Sequence, residues 1–272
     1  MTAWQKQIRD QRARDSSDAD LFGNWWEKID TSLKSAEVRA ISQATAETVI
    51  VKYEWLGTMP AVVLHCFGIY FQGHLGGVTV FSPEYGENLG IWDKYGFSDR
   101  IICLSRGACA HWTPRNTASL LIRKSMKMLP GKYGVVTATC DAEAGEIGTI
   151  YQACGFDFVG QMSTGGKRTS FLSDGKLRSG RHAVRIFGSR GATEMAKRGA
   201  VGVKSHARKT RYFCFRGSVT ARRKDRASIA DLIKPYPKRS AACPPDERDP
   251  SRVSLVQPQE AAPLPPEGGA AA

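Results

Sequence analysis

Nothing in the sequence supplies an uninterrupted apolar run of about 18 residues, so it holds no candidate for a membrane-crossing helix. The opening stretch MTAWQKQIRDQRARD is charged and lacks the apolar centre of a secretory signal, which leads us to expect a cytoplasmic protein. CxxC pairs are missing too. The seven cysteines, at 66, 103, 109, 140, 154, 214 and 243, are odd in number and several sit in apolar runs. Reduced, mostly buried thiols are therefore expected rather than a disulfide framework. No pair of Cys or His stands at zinc-finger spacing, and the five histidines (65, 74, 111, 182 and 206) are scattered, so no metal ligand set is expected. Internal repeats are absent as well.

Acid is scarce in one place. Between Lys176 and Ser240, 19 Lys and Arg face only Glu194, Asp225 and Asp231, a surplus of 16 in a chain whose net charge is +13. The rest of the chain is close to neutral. A near-neutral body with a concentrated basic segment points to a polyanionic partner, because neutralising clustered phosphates releases counterions. A solvated basic tail with no specific partner is the blander reading. The 272 residues, 42% of them hydrophobic, suffice for one sizeable core with appendages.

Along the chain, residues 1–30 read as a polar, partly helical lead-in, with Trp25 and Trp26 packing onto the body. AEVRAIS reads as a strand, and QATAETVIVKYEWLG as a helix with Gly57 as its stop. VLHCFGIYF and LGGVTVF form a hairpin signal with Gly73 in the turn; Gly76 and Gly77 suggest a bulge or a close backbone approach. RIICLSRGA is the next strand. TPRNTASLLIRKSMKML is a helix with Thr113 as N-cap, Pro114 in the first turn and Pro130-Gly131 at its end. GVVTATC is a buried strand, Asp141 to Gly155 a helix beginning near Gly145, and FDFVGQM another strand. Further on, ATEMAKRGA reads as a short helix and RYFCFRG as a late strand that returns to the sheet. From about 240 the Pro/Ala/Glu-rich sequence is expected to be disordered. The alternation of strands and helices indicates an α/β layer fold.

Two places carry residue types suited to chemistry. At WTPRNTAS a strand feeds a loop and then a helix whose free N–H groups attract a phosphate, with Arg115 and Asn116 adding donors. An ordinary capped helix explains the same pattern. In DAEAGEIGTIYQACGF, Asp141 stands at the C-terminal end of a strand, where ligands gather in open sheets. Tyr151 follows on the helix that folds back. A carboxylate there accepts a proton and a phenol donates one; equally, Asp141 caps the helix and Tyr151 is a core aromatic.

Tyr-x-x-x-Gly-Phe in this last helix, after the hairpin and the strand–helix pair, resembles the GNAT acyltransferase superfamily, where the tyrosine protonates the departing thiolate of coenzyme A. The GNAT pyrophosphate loop, Gln-x-x-Gly-x-Gly or Ala, is replaced here by WTPRNTAS. Together YEWLGTMP, FGIY, LSRGA, PRNTASLLIRKS and DAEAGEIGTIYQACGF resemble a narrower family, the Mom proteins of bacteriophages, from about residue 36 to 216. That resemblance implies a GNAT-like α/β fold: a mixed, mostly antiparallel central sheet flanked by helices, with a basic C-terminal extension and a disordered tail. It implies a lead-in at 1–30, a catalytic domain at 31–216 that takes in the basic DNA-binding segment from 176, and a tail at 217–272. It implies a transferase in the host cytoplasm that converts the N6 amine of adenine in double-stranded phage DNA to an acetamido (methylcarbamoyl) group, which blocks host restriction. Asp141 and Tyr151 are its implied catalytic pair, proton acceptor and donor. Arg106, Arg115, Asn116 and Ser119 would hold the donor, an acyl or glycine-derived group such as acetyl-CoA. Many relatives have His-Tyr where this chain has Glu54-Trp55. A ferrous ion has been proposed for the family, but the sequence shows no His/carboxylate cluster to hold it. A GNAT N-acyltransferase acting on a protein or small-molecule amine, and a non-catalytic nucleic-acid-binding protein, are the competing expectations.

Overall fold

β-Branched and aromatic residues in short runs form the strands, and the sheet they build locates the site. A computed structural model describes residues 4–19, 25–84, 90–161, 168–173, 176–179, 201–206 and 209–238. The elements are α1 (Trp4–Ala19), β1 (Glu37–Ala40), α2 (Gln43–Tyr53), β2 (His65–Phe71), β3 (His74–Ser82), β4 (Ile101–Cys109), α3 (Thr117–Met128), β5 (Val135–Cys140), α4 (Thr149–Ala153), β6 (Asp157–Gln161), β7 (Arg168–Ser173), β8 (Lys176–Ser179), β9 (Val201–His206), β10 (Thr210–Phe215) and α5 (Val219–Ala227).

The chain divides into two compact units: residues 1–164 with 208–243, and residues 165–207 with 244–272. The second contains a three-stranded antiparallel sheet in the order β8-β7-β9. The first contains a seven-stranded sheet in the order β1-β2-β3-β4-β5-β10-β6. Every pair in it is antiparallel except β4–β5. This is the mixed, mostly antiparallel sheet with flanking helices that the resemblance implies. β10, the late strand, slots between β5 and β6.

Two core clusters sandwich the sheet. Phe67, Phe81, Leu104, Ile122, Met126, Phe156 and Tyr212 pack on one side with α3, while Ala46, Ile50, Tyr53, Val78, Val80 and Ala108 pack on the other with α2. Each such fully buried large apolar side chain contributes about 1.5–3 kcal/mol. The β2–β3 turn uses Gln72 and Gly73 at φ 47 and 85. At Gly76 the register skips, and a Cβ there would lie 2.7 Å from the Thr113 methyl, so both readings of that glycine pair hold.

Several boundaries differ from the sequence reading. Two successive turns, Ala110–Thr113 and Pro114–Thr117, precede α3, so its N-cap is Asn116 and not Thr113, whose hydroxyl donates to the Ala110 carbonyl. The helix expected from Asp141 to Gly155 is mostly turn. Gly145 and Gly148 take left-handed φ of 67 and 68, which interrupts it, and only Thr149–Ala153 is α-helical. The lead-in contains α1, and Trp25 meets His74 and Trp112 with ring centroids 4.5 and 5.4 Å apart. The tail begins later than 217: α5 follows, and Ile229, Leu232 and Ile233 complete a cluster with Trp92, Phe97, Phe213 and Phe215. Three apolar residues among many charges were too sparse a pattern to announce that packing. The expected helix at 192–200 and the Pro/Ala-rich end lie outside the described residues. Among the described residues no helix is long and apolar enough to cross a membrane.

Candidate active site

β4 and β5 start side by side and then part. Their parallel register runs from Ile101↔Val135 to Leu104↔Ala138, while β4 continues to Cys109 on β3 alone. The site lies where they diverge.

Glu54 ends α2 and is 8% exposed. Its Oε2 accepts from the N–H groups of Leu56 and Gly57 at 2.9 and 3.0 Å. Arg106 on β4 crosses to this segment: Nε donates to the Thr58 carbonyl at 2.7 Å and stands 4.0 Å from Glu54 Oε2, while Nη1 donates to the Ser105 carbonyl at 2.7 Å. Burial raises the Glu54 carboxyl above its ordinary pKa, against the opposing pull of Arg106, the two N–H groups and Lys209 at the start of β10.

On the β5 side, Asp141 is 4% exposed. Its carbonyl accepts from the N–H groups of Ala144 and Glu146, and its own N–H donates to Glu146 Oε2 at 3.3 Å. That turn carries the Glu146 carboxyl inward. Burial raises its pKa as well; Lys209 opposes the rise, whereas Glu54 and Asp141 add to it. Tyr151 on α4 packs its ring against Phe156 and Tyr212, each with centroids 5.4 Å away. Burial holds its phenol well above the ordinary value, and Cys140, Glu146, Cys103 and Glu54 push the same way. Tyr151 therefore stays protonated at neutral pH, the form that donates. Burial also pushes the Cys103 thiol up to about 12 and raises Cys140, so neither is a thiolate nucleophile.

The structure thus gathers Arg106, Asp141 and Tyr151 around Glu54, Glu146 and Lys209, three residues the sequence reading did not assign to the site. Glu54 was noticeable only as a departure from relatives; nothing in the pattern around Glu146 or Lys209 marks them. Arg106, expected to hold the donor, instead fastens the 54–58 segment. Arg115 and Asn116 are exposed at the start of α3. Asn116 sits at φ 69 with no side-chain cap bond, taking the left-handed conformation that glycine favours and that Asn also tolerates. The first-turn N–H groups of α3 have no side-chain cap, so this start fits the phosphates of a nucleotide-linked donor. Ser119 is buried there, but its hydroxyl turns back onto the Asn116 carbonyl at 2.9 Å. Among the described residues no three His, Cys, Asp or Glu side chains converge to hold a metal ion, so the residues present do not fit a ferrous centre.

α1 lies over the unpaired part of β4. The Ala110 N–H donates to Gly76 on β3, so the Gly107 carbonyl, three residues earlier, faces the side that β5 leaves. Gln5 Nε2 donates to it at 2.7 Å, and Arg9 Nη2 reaches the His111 and Thr113 carbonyls at 3.3 and 3.2 Å.

A family model described as the Mom protein family matches residues 35–238. The chain belongs to the Mom protein family. The matched span takes in the whole cleft and α5 but not α1. No curated protein matches the chain. Solved structures similar to this Mom protein include an IAA acetyltransferase from Bacillus cereus ATCC 14579, 11% identical, covering 67% of this chain and 100% of that one with a TM-score of 0.37. A GNAT family acetyltransferase from Elizabethkingia anophelis with acetyl-CoA bound is 8% identical, with 67% and 99% covered and a TM-score of 0.37. An N-acetyltransferase from Staphylococcus aureus Mu50 is 13% identical, with 66% and 98% covered and a TM-score of 0.35. Likeness at this level identifies neither a ligand nor a substrate.

Proposed function

We propose that this Mom protein is a DNA-modifying transferase that converts the N6 amine of adenine in double-stranded DNA to an acetamido (methylcarbamoyl) group, and so protects phage DNA from restriction. The observation that carries this reading is the buried cluster of Tyr151, Glu146, Glu54 and Asp141 at the parting of β4 and β5, in a chain of the Mom family.

The N6 lone pair of adenine is delocalised into the ring, so the amine needs help to act as a nucleophile. A carboxylate at the β5 end, Asp141 or its neighbour Glu146, accepts the N6 proton as the bond from N6 to the incoming group forms. Tyr151 gives its proton to the leaving group as the old bond breaks. Lys209 balances the charge that collects on the carboxylates. The start of α3, with Arg115 and Asn116, holds the donor. An acyl thioester would supply an activated carbonyl; a glycine-derived donor would also supply the extra nitrogen of the product. The target base leaves the stack at a cost of a few kcal/mol, and basic residues from 176 onward grip the backbone meanwhile.

Mass spectrometry of nucleosides in DNA from cells expressing the soluble protein tests the reading. A modified deoxyadenosine is expected; unmodified DNA sinks it. Acyl transfer to an amine without DNA would favour the simpler acyltransferase instead.

A further inference from the structure

Trp55 follows Glu54 directly on the segment that Arg106 fastens through the Thr58 carbonyl. It is a large apolar side chain that is only half-buried, and it belongs to none of the four apolar clusters of the core. Its ring instead lies beside Lys209, whose Nζ is 5.9 Å from the centroid. Lys209 acts on Glu54, Glu146 and Cys140, and those three act in turn on Tyr151. One lysine therefore adjoins both an aromatic face at the cleft mouth and the buried acid–base cluster. The proton transfers described above make no use of that aromatic face.

We propose that Trp55 is the stacking platform that receives the unpaired adenine, with Lys209 beside it to meet the flanking phosphate; this rests on the DNA-modifying reading above. A base drawn out of a duplex loses its stacking partners, and an aromatic side chain restores them without regard to base identity. A bicyclic indole matches the area of a purine. Stacking on Trp55 brings the base alongside Glu54, the residue before it, so that the exocyclic amine reaches the carboxylates. Identity then comes from those carboxylates, which accept hydrogen bonds from N6–H and offer nothing to a carbonyl at that position.

The test uses the full chain and two short single strands, one of thymines with a central adenine and one with an abasic site in its place. The wild type should bind the adenine strand about tenfold more tightly, and Trp55→Leu should remove that preference while leaving the abasic strand bound as before. Trp55→Phe should keep the preference but lose the quenching of tryptophan emission that binding produces. A preference for adenine unchanged in Trp55→Leu, or quenching unchanged in Trp55→Phe, overturns the proposal. The Phe variant decides the matter even if the Leu variant does not fold. Nucleoside analysis separates the two readings. Modified adenine made at the wild-type level by Trp55→Leu refutes the platform alone. An adenine preference that depends on Trp55, with no modified adenine in the cell, refutes the transferase alone.

Discussion

The two ends of the seven-stranded sheet handle charge in opposite ways. At the end where β4 and β5 begin, each buried or half-buried charge has a close partner. Arg100 Nη2 meets Asp225 Oδ2 at 2.7 Å, Arg226 grips both oxygens of Asp157 at 2.8 and 2.9 Å, and Arg216 donates to the carbonyls of Leu129, Pro130 and Tyr133 behind α3. At the end where β4 and β5 part, Glu54, Glu146 and Asp141 are crowded with one another and with a buried phenol, and burial raises the first two above their ordinary pKa. Paired charges stabilise a fold; crowded like charges cost stability and are retained where chemistry needs them. The basic segment that begins at 176 is split by the same geometry. Lys209 and Arg211 lie toward the cleft, whereas Arg216 and α5 lie at the opposite end, beyond the other terminus of β10. α5 is thus fastened by Asp225 and Arg226 far from the base to be modified, and the segment does not grip DNA as one unit.

Four changes would break or sharpen this contrast. Tyr151→Phe should reduce modified adenine by about a hundredfold or more, the usual range for a lost general acid. Its melting temperature should stay near the wild type, because the packed ring is kept. Gly148→Ala joins the two properties. The new Cβ would lie 2.4 Å from Tyr212 Cζ at φ 68, so α4 or Tyr212 must move. Modification and stability should both fall, the latter by about 1–3 kcal/mol in denaturant unfolding. Asp225→Ala should lower stability by about 1–3 kcal/mol, since a buried carboxylate leaves its arginine. Its yield of modified base per folded molecule should be unchanged. The smallest effect is expected of Glu54→Gln. The folded carboxyl binds its proton more tightly than the unfolded one. Its contribution to stability is therefore full below the unfolded pKa and is lost as pH rises through the raised folded value. Removing the titration should flatten that decline, so the variant should melt slightly higher than the wild type at neutral pH while modifying DNA more slowly.

Much of the sheet was legible in the chain. Period-two runs and the Gln72-Gly73 turn announced β2 and β3, and Pro130-Gly131 marked the end of α3. The start of α3 was less so, because Thr113 has the right side chain for a cap while the turn after it, not the residue type, sets where the helix begins. α4 was overestimated for a related reason: the glycines at 145 and 148 turn left-handed only because Tyr212 occupies the space beside Gly148. Of the expected site residues, Asp141 and Tyr151 fall within the cluster, but Arg106 and Ser119 make contacts that the motif did not suggest.

By itself the sequence determined the order of strands and helices, the α/β class and the concentration of positive charge, because periodicity, turn residues and composition are local properties. Only the tertiary structure decided which carboxylates matter. Glu54, Glu146 and Lys209 come from distant parts of the chain, and their burial and mutual approach follow from strand register and from the insertion of β10 beside β5. A carboxyl's proton affinity depends on the solvent it loses and the charges it meets, and neither is written in the residues adjacent to it.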